Sequence, residues 1–403
     1  MEPTDPFSLS NNAVRFLYRD REGGIWAGTF YGGVNYLPQQ NKAFEKFYPT
    51  GLPGSLSGNV VREIRADSYG KIWLGTEDAG LIRMDPMTGF FSSYYGTNSS
   101  RVNSRNTQGL LIDNDELWAG TYDNGIYVLN PKTGNIKHHF TVKDPGNGLK
   151  TNSFITFLKT VGGTVYAGSA SGLYRFNRET ASFSLNEIVT PDAFIHALYE
   201  DTRGIIWIGT YGRGLYRYDT KSETCEQVIS GNNNPGSSEN DYITSIYEDR
   251  DHNIWFTTEG SGFSYIDAET QEIKRFIPGR DVEFAIYCAI LQDSHGQIWI
   301  TSTRGLLRYN PETGRFSVYT RNDGLLGNTF SYNSAYQDKN GRIYFGMVNG
   351  LLTFNPADIK ENTYNPPVYF TDLLVNGKEY PGSPAGSPRS EEHTSELQSR
   401  GLI

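Results

Sequence analysis

The stretch IWAGTFYGG, from Ile25 to Gly33, returns down the chain in seven further versions. Each version has an aromatic residue at its second position, and these residues are Trp26, Trp73, Trp118, Tyr166, Trp207, Trp255, Trp299 and Tyr344. Successive aromatic residues lie 41 to 48 residues apart, and all six tryptophans of the chain are among them. A period in the forties made of short strands is typical of propeller blades.

The copy that begins at Ile195 shows what one repeat contains. Short apolar runs alternate with Gly-, Asp- and Ser-containing turns, which predicts four antiparallel strands joined in chain order. Both faces of such a sheet need a cover, so we expect the tryptophans to pack between neighbouring blades. An Asp recurs before the first turn and is assigned an Asx-type turn role rather than catalysis, at Asp20, Asp67, Asp201, Asp249, Asp293 and Asp338.

Composition excludes several classes of function. The formal charge of -9 and the pI near 5.3 argue against a nucleic-acid or anionic-membrane surface. Two cysteines, Cys225 and Cys288, make no disulfide framework. No apolar run reaches the ~20 residues of a membrane helix, and the start of the chain does not read as a signal peptide. We expect a soluble body without cofactor or metal.

The repeated phrase resembles a known family. The pattern D-x-x-G-x-I-W-x-G-T-x-x-x-G-L-x-R-x-D, at 67–85 and 201–219, resembles the two-component regulator propeller repeat. The resemblance implies the periplasmic sensor region of a hybrid two-component system histidine kinase, often one that regulates polysaccharide use. It also implies two seven-bladed propellers, a small immunoglobulin-like domain, a membrane helix and a kinase in the longer protein.

These features predict an all-β chain and a division into domains. Residues 1–48 are expected to be the last blade of a preceding propeller and 49–360 a seven-bladed β-propeller of four-stranded blades, with an eight-bladed ring as the alternative. Residues 364–388 resemble the truncated start of an immunoglobulin-like β-sandwich, in which Asn376-Gly377 is a hairpin signal. Residues 389–403 read as a translated sequencing adaptor, or alternatively as a charged disordered tail.

A ligand site is expected where the repeat varies. If the four strands run from the axis outward, the turns between second and third strands share one face with the connections between blades. Variable aromatic and charged side chains on a rigid ring suit sugars. The candidates are Tyr31, Glu77, Asp78, Tyr122, Asp123, Asn124, Tyr211, Arg213, Glu259 and Arg304, and weaker axial candidates are Asn59, Asn152, His196 and Asn333.

The sequence thus favours a non-enzymatic, extracytoplasmic sensor that binds a glycan-derived oligosaccharide. Tyr211 with Arg213 suggests an acidic sugar in particular. In the longer protein the module would be periplasmic, membrane-anchored and homodimeric. A polysaccharide-cleaving propeller enzyme and a protein-interaction scaffold are the alternatives. No catalytic motif is present, and the Asp249–Asn253 stretch fails as a calcium loop because Ile254 stands where Gly is needed.

Overall fold

The computed structural model describes residues 7–39, 43–97, 100–189, 192–229, 242–260, 262–276 and 286–359, and the backbone of two short strands at 374–375 and 378–379. Within them the structure is all-β. It contains one three-stranded sheet, seven four-stranded sheets and one two-stranded sheet, all antiparallel, with only two short 3-10 turns at Arg321–Asp323 and Pro356–Asp358.

The strands follow the repeat in chain order. The N-terminal sheet holds β1 (Val14–Arg19), β2 (Ile25–Thr29) and β3 (Val34–Leu37), and β4 (Glu45–Phe47) follows it. We number the four-stranded sheets as blades 1 to 7. Blade 1 is β5 (Val61–Ala66), β6 (Ile72–Thr76), β7 (Leu81–Asp85) and β8 (Phe90–Ser93); blade 2 is β9 (Thr107–Asp113), β10 (Glu116–Thr121), β11 (Ile126–Leu129) and β12 (Ile136–Phe140); blade 3 is β13 (Phe154–Lys159), β14 (Val165–Ser169), β15 (Gly172–Asn177) and β16 (Ser182–Leu185).

The remaining four blades keep the same plan. Blade 4 is β17 (Ile195–Glu200), β18 (Ile205–Thr210), β19 (Leu215–Asp219) and β20 (Thr224–Ile229); blade 5 is β21 (Ile243–Glu248), β22 (Ile254–Thr258), β23 (Phe263–Ile266) and β24 (Ile273–Phe276); blade 6 is β25 (Tyr287–Gln292), β26 (Ile298–Ser302), β27 (Gly305–Asn310) and β28 (Arg315–Tyr319); blade 7 is β29 (Phe330–Gln337), β30 (Ile343–Met347) and β31 (Gly350–Phe354), completed by β4.

The first strands of the seven blades contact one another in a closed cycle, from β5 through β9, β13, β17, β21 and β25 to β29 and back to β5. The cycle is closed by β4, which pairs with β31 through Leu351↔Phe47 and Thr353↔Glu45. The expectation that residues 1–48 form a separate blade is therefore wrong for β4. The reason is that blade 7 has only three strands of its own, and its fourth, outer strand comes from the N-terminal side.

The repeated tryptophans pack as expected between blades. Trp207 of blade 4 lies in a buried cluster with Ile243, Ile246 and Phe256 of blade 5. Trp299 of blade 6 likewise packs with Phe345 of blade 7. Each is at most 1% exposed. Burying such large side chains between sheets is what holds successive blades together.

The repeated Asp does more than shape a turn. In blade 1, Asp67 Oδ1 accepts the backbone N–H of Tyr69 and Lys71, both at 2.9 Å, which is the expected Asx-type turn. Its Oδ2 accepts the indole N–H of Trp73 at 2.8 Å. The same indole bond recurs from Trp26 to Asp20, from Trp207 to Asp201, from Trp255 to Asp249 and from Trp299 to Asp293. The carboxylate therefore ties the first turn to the packed tryptophan.

Blade 2 departs from this pattern. Its first turn is one residue shorter, so the residue six positions before Trp118 is Ile112, and Asp113 stands one place later. Asp113 binds Lys159 of blade 3 at 2.6 Å and also Arg178. The buried Trp118 Nε1 has no hydrogen-bond partner.

Side chains at the ends of the first strands add a second link between blades. Glu200 of blade 4 accepts the Val161 N–H of blade 3 at 2.6 Å, and Glu248 of blade 5 accepts the Thr202 N–H of blade 4 at 2.8 Å. Gln292 of blade 6 accepts the Arg250 N–H of blade 5 at 2.9 Å. Each bond satisfies a turn amide and fixes the angle between neighbouring blades.

The N-terminal sheet has three strands and exposed faces. Leu17 is 70% exposed and Trp26 39%, although Trp26 occupies the position that is buried in blades 1 to 7. Exposed apolar side chains grouped on a sheet are typical of a face that packs against another part of a protein.

The C-terminal residues form a separate unit, 361–403. In it β32 (Leu374–Val375) and β33 (Lys378–Glu379) pair antiparallel, with Val375 opposite Lys378, as a two-residue hairpin requires. The rest of the expected immunoglobulin-like start at 364–388, and the 389–403 tail, lie outside the described residues. In the part of the chain that is described, no helix is long and apolar enough to cross a membrane.

Candidate functional site

The turns between second and third strands lie beside the connections between blades. The Tyr122 N–H donates to the carbonyl of Asn106, just before β9, and the Glu77 N–H to that of Val60, just before β5. Tyr211 and Tyr242 form an isolated bridge between a turn of blade 4 and the segment that leads into blade 5. We call this side of the ring the loop face. The other side, which carries the Asp turns, is called the Asp-turn face.

All nine ring candidates lie in the loop-face turns, whereas Tyr31 belongs to the N-terminal sheet. The exposed members are Tyr31, Tyr122, Asp123, Tyr211, Arg213 and Arg304, and the half-buried members are Glu77, Asp78, Asn124 and Glu259. Their spread over blades 1, 2, 4, 5 and 6 surrounds the axis rather than forming one compact cluster.

Three of these candidates are occupied by bonds that hold the loops. Asp78 accepts the backbone N–H of Asn59 and its side-chain amide, the latter at 2.8 Å. Ser104 donates to Asp123 at 2.5 Å, and the Asn124 side-chain amide donates to the Asn103 carbonyl at 2.9 Å. These polar groups connect a turn to the preceding inter-blade segment. These residues therefore differ between blades because the loops that they hold differ.

An aromatic group gathers at blades 4 and 5. The Tyr211 ring lies 4.2 Å from that of Tyr242 and 5.9 Å from that of Phe194, measured between centroids. The N–H of Glu259 donates to the Tyr242 carbonyl at 3.2 Å. The Glu259 carboxylate, followed by burial, raises the pKa of the Tyr211 phenol. A half-exposed tyrosine platform is thus bordered by a negative charge.

Two networks lead from the loop face toward the axis. Arg62 pairs with Glu77 at 3.3 Å, and its guanidinium lies 5.2 Å from the centre of the Tyr332 ring. Burial, followed by the influence of Glu259, raises the pKa of the Tyr332 phenol. Turn residues of blades 1 and 5 are in this way connected to side chains of the central strands.

The first strand of each blade carries an irregularity at nearly the same place. Strand registers shift between Val61 and Glu63, between Ile195 and Ala197, and at the equivalent position of the other blades. One residue is left out of the pairing in each of blades 1 to 6, and these residues, here called the bulge ring, are Arg62, Gln108, Ile155, His196, Thr244 and Cys288. Bulges re-aim a side chain, and they are frequent next to functional sites.

Blade 7 has a longer irregularity. Its register jumps from Phe330 to Ala335, and within it Asn333 has a left-handed φ of 49°. A small cavity lies on the axis near the loop face. It is lined by bulge-ring members and their neighbours, namely Arg62, Glu63, Gln108, Ile155, His196, Tyr332 and Asn333.

Buried ionisable groups face this cavity. Glu63 is 1% exposed and pairs with Arg65 at 2.5 Å, and burial raises its pKa to about 7. His196 is 6% exposed, and burial, followed by the charge of Arg62, lowers its pKa to about 3. At neutral pH the imidazole is therefore uncharged.

Of the four weaker axial candidates, His196 and Asn333 line the cavity. Asn59 is engaged by Asp78, and Asn152 accepts the Val142 N–H at 2.9 Å. Sequence reasoning missed Arg62, Glu63, Gln108 and Tyr332. A residue that varies between blades at the second position of each first strand could have indicated these side chains. The direction of that side chain depends on a bulge, which the alternation of apolar residues does not reveal.

The Asp-turn face also contains a groove at the seam between blades 7 and 1. Two of its charged residues are paired within their own blades: Lys71 binds Asp85 at 2.7 Å in blade 1, and Arg342 binds Glu45 in blade 7. Within the described ranges, no three His, Cys, Asp or Glu side chains are grouped as metal ligands would be.

Comparison with known proteins adds a family match. Four stretches, 8–31, 55–78, 190–212 and 237–260, match the family model described as two component regulator propeller. Over 93 residues the chain is 28% identical to histidine kinase P4 of Formosa agariphila, a match that covers 23% of this chain and 7% of that protein.

Solved structures with the same fold include extracellular domains of bacterial regulatory systems. The extracellular domain described as that of a hybrid two component system of B. thetaiotaomicron is 25% identical, with a TM-score of 0.73, and the match covers 94% of this chain and 51% of that one. The extracellular domain of a one component system from the same organism is 22% identical, with a TM-score of 0.63 over 78% of this chain and 40% of that one.

An enzyme also shares the fold. Virginiamycin B lyase from Staphylococcus aureus is 16% identical, with a TM-score of 0.59, and the match covers 77% of this chain and 97% of the lyase. At this identity the likeness concerns the propeller alone. The present chain spans about half of the hybrid-system domain and a small part of the histidine kinase.

Proposed function

This chain is built from two-component regulator propeller repeats, and on that premise we propose that it is the extracytoplasmic ligand-sensing propeller of a hybrid histidine kinase. The ligand in this proposal is a glycan-derived oligosaccharide, and the response regulates polysaccharide use. The module itself is not an enzyme.

One observation carries the proposal. A rigid frame of tryptophans and turn carboxylates repeats around the ring, while the loop-face turns present different aromatic and polar side chains from blade to blade. The Tyr211–Tyr242 pair gives the kind of half-exposed aromatic surface on which a sugar ring stacks, with polar groups at its edge for the hydroxyls. Function placed on loops and held by a rigid scaffold is the usual arrangement for recognition.

The longer protein completes the proposal. The three-stranded N-terminal sheet is assigned to the end of a preceding propeller, and its exposed apolar faces support that assignment. The segment that starts at 364 is assigned to an immunoglobulin-like domain that leads to the membrane. The location is then periplasmic, and the longer protein is membrane-anchored and homodimeric.

Calorimetry with a panel of plant and host oligosaccharides tests the function. Saturable heat without new reducing ends is the expected result, and it separates a sensor from a polysaccharide-cleaving enzyme. A chain that binds no oligosaccharide contradicts the proposal and leaves a protein-interaction scaffold.

The location of the site is tested by variants of matched exposure. Tyr211→Ala and Arg213→Ala should weaken binding, because both side chains are exposed on the loop face, and each should change the free energy of unfolding by about 0.5 kcal/mol or less. Tyr69→Ala is the control. Tyr69 is 44% exposed against 47% for Tyr211, but it lies on the Asp-turn face. Weakening by Tyr69→Ala alone would move the site to that face.

A further inference from the structure

The bulge ring contains a buried polar atom without a hydrogen-bond partner among the described residues. His196 is 6% exposed, and its Nδ1 is the atom that lacks a partner. The His196 imidazole packs against Tyr332, and the centroids of the two side-chain rings lie 5.5 Å apart in an edge-on arrangement. A neutral imidazole has a donor on one nitrogen and an acceptor on the other, and a sugar hydroxyl can pair with either. A buried polar atom without a partner is costly, so a hydroxyl that reaches Nδ1 gains a hydrogen bond.

The other polar groups around the cavity are suited to hydroxyls. Asn333 brings a side-chain amide with donor and acceptor atoms, and Arg62 brings a guanidinium. Gln108 brings a second amide, whose Nε2 donates to Asn106 Oδ1 at 3.0 Å and whose oxygen is an acceptor. The left-handed backbone of Asn333 places it inside the irregular part of β29. Ile155 is the apolar member of the lining. Paired donors and acceptors beside an apolar contact match the polar and apolar sides of a sugar.

The charges disfavour an acidic sugar here. Arg62 is paired with Glu77, and Arg65 with Glu63. Glu259 adds a further carboxylate, which acts on the phenol of Tyr332. A carboxylate or sulfate brought to this place would meet like charge without a spare cation among the lining residues, and like charge at short range is repulsive.

From this geometry we infer that the axial end of the loop face is a subsite for the end of a neutral oligosaccharide, in which a sugar hydroxyl forms a hydrogen bond with His196 Nδ1. The cavity is too small for a whole sugar ring, so the terminal residue sits at its mouth and one hydroxyl enters. Tyr211 and Tyr242 then lie outward of the subsite for the following residues. This inference rests on the proposed oligosaccharide-sensing function, and it replaces the acidic sugar expected from Tyr211 and Arg213.

The test compares neutral with uronate-containing and sulfated oligosaccharides of equal length by calorimetry on the full chain. We expect a neutral ligand, with Kd raised about tenfold by His196→Phe, which keeps a ring but removes Nδ1. Asn333→Gly is the second variant, because glycine accepts the left-handed backbone while the amide is lost. Tyr69→Ala on the Asp-turn face is the control, and melting curves establish folding.

The outcomes separate the two proposals. Binding of a neutral oligosaccharide that both axial variants leave unchanged overturns the subsite but keeps the sensor, as does binding of acidic oligosaccharides alone. Binding of none by the unmodified chain overturns both. If His196→Phe does not fold, the result with Asn333→Gly decides.

Discussion

Removing the indole N–H should cost more in blade 6 than in blade 2. The two tryptophans are buried alike, Trp299 at 0% and Trp118 at 1% exposed. Trp299 Nε1 donates to Asp293 Oδ2 at 2.7 Å, whereas Trp118 Nε1 has no partner. Trp→Phe removes similar apolar area at both sites, so the difference between the two losses reports the indole bond.

The magnitude follows from these contacts. A hydrogen bond to a charged group contributes about 1.5–3 kcal/mol, and Asp293, itself 2% exposed, would be left with an unsatisfied oxygen. In blade 2 the substitution removes a donor that is already unsatisfied. We therefore expect Trp299→Phe to lower the free energy of unfolding by at least about 2 kcal/mol more than Trp118→Phe does.

Urea unfolding followed by circular dichroism measures the free energy of unfolding of each variant. The variants are compared only where that free energy falls with urea concentration at the same slope. A double-mutant cycle of Asp293→Ala with Trp299→Phe should give a coupling energy of about 1.5–3 kcal/mol. The matched cycle of Asp113→Ala with Trp118→Phe should give a value near zero, because Asp113 binds Lys159 and Arg178 instead. Equal losses at the two tryptophans, or equal coupling in the two cycles, would refute the reasoning.

Two further predictions concern the ring and its centre. A chain that starts at residue 40 should unfold cooperatively. A chain that starts at residue 49 should melt at a clearly lower temperature, because it lacks β4 and the buried Phe44. Thermal scans compare the two chains, and equal melting temperatures would argue against the completion of blade 7 by β4. Because burial raises the pKa of Glu63 from 4.5 to about 7, its stability contribution is present below pH 4.5 and is lost as the pH rises through 7. Glu63→Gln should therefore reduce the fall in unfolding free energy between pH 5 and pH 8, by about 1–3 kcal/mol, and urea titrations at both pH values that show the same fall in both proteins would contradict this.

The sequence by itself determined the blade. The aromatic position in IWAGTFYGG and its copies, the turn glycines and the recurring Asp specify four short strands, and such local patterns need no knowledge of distant residues. The turn role of Asp67 followed from its place before a turn. Its bond to Trp73 could have been read from the spacing of six residues between Asp and Trp, which recurs in five of the repeats.

The tertiary structure alone decided how the ring closes and what faces its axis. β4, with the sequence Glu45-Lys46-Phe47, carries no mark that assigns it to blade 7 rather than to the N-terminal sheet, because its partner in β31 lies some three hundred residues away. His196 and Arg62 face the cavity because a register shift re-aims them. A shift by one residue sends a side chain to the other face of a strand, and that shift is set by pairing with a neighbour, not by the strand's own composition.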